Sequence, residues 1–233
     1  MKKILLSILL IAGATLSLNA QTIVTSDQTA GKKLPTWRFA IQGGGGYRFG
    51  KVPTGLDAAM EKYLKALKWG YSYGADITGF FSESLGVGVK YHSFNTSNEG
   101  IFSDSAARSM LVSDNQNFWF LGPILSYRVM SASLKNAFYM NFGVGYMGYY
   151  DKGKVNSVPI IQKGGTCSTV LDLGYDIGLS KHLSIGATLS FFAGSLSSYK
   201  TEARGVSQTV TFEEDNRESV THLDLTIGLR YTL

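Results

Sequence analysis

The sequence predicts an all-β chain in which eight antiparallel strands close into a transmembrane barrel. Three observations predict it. Apolar and polar residues alternate one by one through eight separate segments. Successive strand residues point to opposite faces, so each such segment has one apolar and one polar face. The segments are close to the ~9–11 residues that a tilted strand needs to cross a bilayer. Finally, the connections alternate in length: those near 50–68, 95–116, 151–167 and 195–219 are long, and those near 82–84, 130–136 and 180–182 are short. An even strand count with this alternation predicts short periplasmic turns, four long extracellular loops and both termini on the periplasmic side.

Residues 1–20 read as a signal peptide: Met1-Lys2-Lys3, an apolar run from Ile4 to about Leu16, and Ala20 at the cut before Gln21. The run is shorter than the ~18 residues of a spanning helix. Residues 21–36 form a polar periplasmic lead-in, and 37–233 the barrel domain.

In the first strand, 37–48, Trp37, Phe39, Ile41 and Tyr47 oppose Arg38, Gln42 and Arg48, with glycines between. It runs into GGGGYRFGKV (43–52), where Gly45, Gly50 and Lys51 have the spacing of a phosphate-binding loop. Val52 stands where that motif needs Ser or Thr for the metal, and Pro53 follows, so the nucleotide reading fails. Stretch 54–70 then carries Leu56, Met60, Tyr63, Leu64 and Leu67 at helical spacing, with Thr54 as N-cap and Asp57 three residues on. It predicts a short helix capping the barrel mouth or lying at the interface. Its Lys62, Lys65 and Lys68 could meet anionic lipopolysaccharide or a partner surface.

The second strand, 69–78, sets Trp69, Tyr71, Tyr73 and Ile77 against Asp76 and small residues. The third, 85–92, sets Leu85, Val87, Val89 and Tyr91 against Lys90 and His92. The fourth, 118–129, is irregular: Trp119, Leu121, Leu125, Tyr127 and Val129 share a face, but Phe118, Phe120 and Ile124 occupy the other. Pro123 removes a ladder hydrogen bond there and predicts a bulge or kink. Strands 138–147, 171–180, 183–190 and 222–233 follow; the last alternates without a fault from His222 to Leu233.

A soluble barrel alternates too, with its apolar face inward, so size and charge must decide. The polar faces carry Arg38, Asp76, Lys90, Asp172, Asp176, Asp224 and Arg230, with Gly and Ser between. The interior of an eight-stranded barrel is only just filled by side chains, and mixed charges with small spacers fit it as an ionic network. The bulky opposite faces would not all fit inside. They also place Trp37, Tyr47, Trp69, Tyr71, Tyr91, Trp119, Tyr127, Phe138, Tyr146, Phe191 and Tyr231 near strand ends, as interface girdles require. The apolar face is therefore expected to face lipid.

Removing Lys2 and Lys3 from the 22 basic residues leaves 20 against 17 acidic ones, too mild a balance to imply nucleic acid. Cys167 is the only cysteine, so no internal disulfide forms, and a structural free thiol is expected.

Asn19-Ala20-Gln21, FLGPILSYRV (120–129), NFGVGYMGYY (141–150) and LTIGLRYTL (225–233) resemble the small OmpX/OmpA-type outer-membrane barrels, particularly those of Bacteroidetes-like bacteria. The resemblance covers the mature chain as a pattern. It implies residence in the outer membrane among lipid and lipopolysaccharide, and assembly by the outer-membrane insertion machinery. That machinery reads a terminal strand that usually ends in an aromatic residue; here Leu233 is last and Tyr231 stands two before it. No peptidoglycan-binding domain is expected after the barrel. Roles in such families include envelope integrity, adhesion and resistance to host defence, none of which the sequence selects.

No catalytic, cofactor-binding or metal site is expected. His182 falls in a turn. His92 and His222 fall on lumen faces near the outer end, where with Asp224 or Asp76 they could form an acid–base group. Lipid A deacylases of this shape use a His with a Ser two residues on. Here Ser93 adjoins His92 and Phe94 takes the second place, so the match fails. A lipid-modifying enzyme with a site near His92 and His222 is the first alternative to a non-enzymatic barrel, and a small pore the second.

Overall fold

The computed structural model describes residues 34–103, 109–213 and 217–233. The expected signal peptide and most of the lead-in lie outside the described residues. The strands are β1 (Trp37–Arg48), β2 (Trp69–Phe80), β3 (Leu85–Ser103), β4 (Ser109–Met130), β5 (Asn136–Val155), β6 (Val158–Gly178), β7 (Leu183–Ala193), β8 (Ser195–Leu196), β9 (Ser198–Ala203), β10 (Val206–Thr211), β11 (Glu218–Ser219) and β12 (His222–Thr232). One helix, α1 (Ala58–Ala66), lies between β1 and β2.

Strands β1 to β7 pair antiparallel in chain order, β7 pairs with β12, and β12 pairs with β1. That closes a ring of eight. Closure leaves the level part of the ring without a first or last edge strand. At the lower end sit the short turns and the closing bonds from the Thr36 and Trp37 amides to the Leu233 carbonyl, 2.6 and 3.2 Å. Along β1 the register puts Phe39 opposite Tyr231 and Ile41 opposite Leu229, all on the outside, while Arg38, Gln42 and Arg48 turn inward.

The ring is not level. β1, β2, β7 and β12 have 11 or 12 residues, but β3, β4, β5 and β6 have 19, 22, 20 and 21. Half of each long strand therefore rises above the rest at the upper end, where β9 adds to β6 and β10 to β9. This corrects three of the expected loops. Stretch 151–167 is a hairpin turned by Asn156 and Ser157 alone, at φ 47° and 69°. Positive φ at both central residues matches the right-handed twist of the flanking strands, so pairing continues up to the turn. Stretch 95–116 is the paired upper halves of β3 and β4, apart from 104–108, which lie outside the described residues. The stretch 195–219 contains β8 to β11 rather than an open loop.

Pro123 is a second correction. It pairs in register with Val89 of β3. Toward β5 the ladder skips Gly122 and Pro123 but resumes with the same count on both strands, from Leu121↔Tyr146 to Ile124↔Gly143. The missing proline N–H breaks the ladder without inserting a residue, so no bulge forms.

Helix α1 starts one turn later than expected. Its N-cap is Asp57, not Thr54; the Asp57 side chain accepts from the Met60 amide at 2.7 Å. Tyr63 and Leu67 are buried with Phe102 of β3, flanked by Met60, Leu64, Met110 and Val112. Phe102 and Met110 share the inward parity of His92 and Phe118, so α1 lies on the inner side of the raised sheet, above the mouth. The Tyr63 hydroxyl donates to Asp114 Oδ2 at 2.6 Å. Burial, together with Asp114, pushes that phenol well above its ordinary range.

Candidate functional site: the layered interior of the barrel

The inward side chains form layers, from the lower end upward. In the first, Arg38 donates to Asp76 at 2.7 Å and to Asp176 at 3.1 Å, and Arg230 Nε lies 3.1 Å from Asp176. Arg38 stacks over the Tyr139 ring at 4.1 Å. Arg230 also donates to Gln42 Oε1, Tyr139 Oη, Thr188 Oγ1 and the Gly186 carbonyl. In the second layer Lys90 donates to both oxygens of Asp172 at 2.8 and 2.9 Å, and Asn141 Nδ2 donates to the same carboxylate at 3.0 Å. Arg38, Arg230 and Lys90 each have a carboxylate in contact, which offsets the cost of burying their charge, while Arg128 at the lower end donates to the Glu83 and Pro35 carbonyls.

The third layer is His92, Asp224 and His222, all wholly buried. His92 Nε2 is 2.6 Å from Asp224 Oδ2, and His222 Nε2 is 3.4 Å from the same oxygen. His222 Nδ1 is 2.8 Å from the Val220 carbonyl. A carbonyl only accepts, so Nδ1 holds a proton, and in the neutral imidazole Nε2 is the nitrogen left with the lone pair.

The fourth layer is apolar. Phe94, Phe118, Phe120, Ile124, Met147, Val170, Phe192, Leu196 and Val220 pack together with Tyr149. Phe192 stacks on both His92 and His222 at 4.6 Å, and Phe94 on His222 at 5.1 Å. The short β8–β11 pair brings Leu196 and Val220 down into this plug. Arg48 roofs it, bonding Glu218 Oε1 at 2.9 Å and lying 5.2 Å above the Phe118 ring.

All seven residues expected in a lumen network turn inward and are buried, but they do not form one network. Six join in two ion-paired groups. Asp224 joins the histidines instead, and Asp76 stays with Arg38 and away from them. The sequence reading expected no metal site. The structure nevertheless brings two imidazoles and a carboxylate within 4.8 Å of one another. It also missed the apolar plug, whose signal was the pair of apolar faces in 118–124. On the outside, Trp37, Trp69, Tyr71 and Tyr231 are exposed, and Tyr47 and Trp119 half-buried. Tyr47 and Trp69 meet edge-on at 4.9 Å at the upper rim. Cys167 is free and exposed on that outer face.

The fold has relatives among solved structures. The crystal structure of the outer membrane protein OprG from Pseudomonas aeruginosa matches with a TM-score of 0.51 at 15% identity, over 86% of this chain and 97% of that one. That of a major outer membrane protein from Thermus thermophilus matches with 0.55 at 14% identity, over 84% and 99%. The fold is one that outer-membrane proteins use. At such identities the likeness concerns the fold alone. No protein-family model matches the sequence, and no curated protein matches it.

Proposed function

We propose that the chain is an integral outer-membrane barrel of the small OmpX/OmpA type, without catalytic activity, whose raised sheet presents a contact surface outside the cell. One observation carries the reading: the molecule is inside out. Ile41, Leu225 and Ile227 are 60–63% exposed on the outer face, while Arg230, Lys90, Asp172 and Asp224 beneath them are 0–1% exposed. In water this would waste the burial of a whole apolar belt; in a bilayer the same belt meets hydrocarbon. The lower end, with its short turns, then faces the periplasm. The ~9–11 residues needed to span a bilayer leave about half of β3 to β6 standing outside.

The raised sheet also supports a lipopolysaccharide contact. Lys152 and Lys163 each lie 5.4 Å from the Tyr150 ring, just above the aromatic rim, where phosphate headgroups would sit. Insertion by the outer-membrane assembly machinery belongs to the same proposal. The enzyme alternative loses ground because His92 and His222 lie beneath Phe94 and Phe192, with no surface for a lipid chain to reach. The pore alternative loses ground because the layers above fill the interior; the cavity at the lower end beside Arg38, Arg128 and Asp176 is only ≈ 60 Å³.

The test is fractionation of expressing cells combined with gel mobility before and after heating. Recovery in the outer membrane with a heat-dependent shift is expected; a periplasmic protein without a shift would sink the proposal. Unchanged lipid A by mass spectrometry on comparing the native chain with His92→Ala/His222→Ala, and no stable conductance in planar bilayers, complete it.

A further inference from the structure

We propose that His92, His222 and Asp224 form a site for one divalent transition-metal ion of the zinc class, held inside the barrel and tying β3 to β12. Four observations converge on it.

The first is the donor set. Two imidazole nitrogens and a carboxylate gather within 4.8 Å. Ligands bound to zinc at ~2.0–2.2 Å in a tetrahedral array lie roughly 3–4 Å apart. The His222–Asp224 separation of 3.4 Å already fits, and the His92–Asp224 separation of 2.6 Å must open by less than about 1 Å. Asp224 Oδ1, buried and without a hydrogen bond, offers a fourth donor.

The second is orientation. His222 gives its Nδ1 proton to the Val220 carbonyl, which is how metal-ligating histidines are usually fixed. Its Nε2 is buried, makes no hydrogen bond and lies 3.4 Å from a carboxylate oxygen. A cation bound by both would satisfy that nitrogen.

The third is charge. In the interior Arg38 and Arg230 face Asp76 and Asp176, Lys90 is held by both oxygens of Asp172, and Arg48 by Glu218, while Arg128 at the lower end donates to the Glu83 and Pro35 carbonyls. Asp224 touches no arginine or lysine; its contacts are the two histidines. A bound dication would set positive charge directly against that carboxylate.

The fourth is space. A Cβ at Gly46 would overlap Asp224 Oδ1, and one at Gly74 would meet the Tyr91 carbonyl at 2.7 Å and His92 Nδ1 at 3.1 Å. The glycines of β1 and β2 leave the room in which the carboxylate and the imidazole turn toward each other.

Because all three ligands are wholly buried, the ion is captured as the barrel closes. The untagged mature chain is unfolded with chelator, refolded into detergent with Zn²⁺ or Co²⁺, and desalted. Folding is read by the heat-dependent gel shift and metal by mass spectrometry. One equivalent per folded chain is expected, with visible d–d absorption for Co²⁺ and a higher unfolding midpoint than protein refolded without metal. His222→Gln and Asp224→Asn should fold and lose that equivalent, while His182→Gln keeps it. Folded wild-type barrel that retains no metal, leaving a shared proton to neutralise Asp224, overturns the proposal. So does full retention by His222→Gln. Should either variant fail to fold, wild-type stoichiometry and the Co²⁺ spectrum decide alone.

Discussion

The lower and upper halves of the barrel interior solve the same filling problem with opposite chemistry. Below, long charged side chains cross between strands: Arg38 on β1 reaches Asp176 on β6, and Lys90 on β3 reaches the same strand at Asp172. Above, Phe94, Phe118, Phe120 and Phe192 interlock without a charge among them. The ionic half specifies partners, because each charge tolerates only a matched neighbour. The aromatic half excludes water and seals the ionic half from above. The difference teaches that the inside of a barrel with an apolar outside need not be polar throughout.

The contrast can be broken most directly at Asp172. Asp172→Ala strands Lys90 and should cost about 3–5 kcal/mol in urea unfolding of the refolded barrel, whereas Lys90→Met/Asp172→Leu should be near neutral or stabilising. If the double variant is as damaged as the single, the lower half is not organised by charge pairing. Phe192→Ala opens a cavity in the upper half, with an expected loss of about 3–5 kcal/mol by the same measurement. No paired substitution of charges should rescue it.

On the outer face, Ile227→Arg should cost about 2–4 kcal/mol in bilayers, a loss that tests whether that face meets lipid.

In the raised sheet, Tyr63→Phe removes the hydrogen bond to Asp114. That should loosen α1 by about 1.5–3 kcal/mol in hydrogen exchange without moving the global midpoint. The sign with pH is fixed: a phenol raised by burial keeps its stabilising contribution below its ordinary value of ~10 and loses it only as pH climbs through the raised one. Tyr63 should thus ionise after exposed tyrosines in an alkaline absorbance titration. The smallest effect is Asp57→Ala, about 1 kcal/mol of local helix stability for a lost cap, read from the same exchange profile.

The ring itself was legible because its pattern is enforced on both faces: Leu223 to Tyr231 meet the outside, His222 to Arg230 the inside. The raised halves of β3 to β6 were not legible. Above the belt neither face faces a uniform medium, so stretches such as 158–170 carry no two-residue period. Phe118 and Phe120 hid the plug because an apolar residue reads the same toward lipid or toward other rings. His92 and His222 were expected near one another. Their meeting on Asp224 depends on the Val220 carbonyl and the bare backbone at Gly46, which spacing alone does not reveal. The GGGG run that imitates a phosphate loop is the bed of that cluster.

Closure of the ring by β1 and β12 has a consequence for biogenesis. Arg38 pairs with Thr232, so β1 finds its second neighbour only when β12 exists. Until then two strands stand with open edges and a continuous apolar flank, the most adhesive surface a polypeptide can offer. The ring therefore cannot be sealed strand by strand as it is synthesised; it closes in a single late event, once β12 is made.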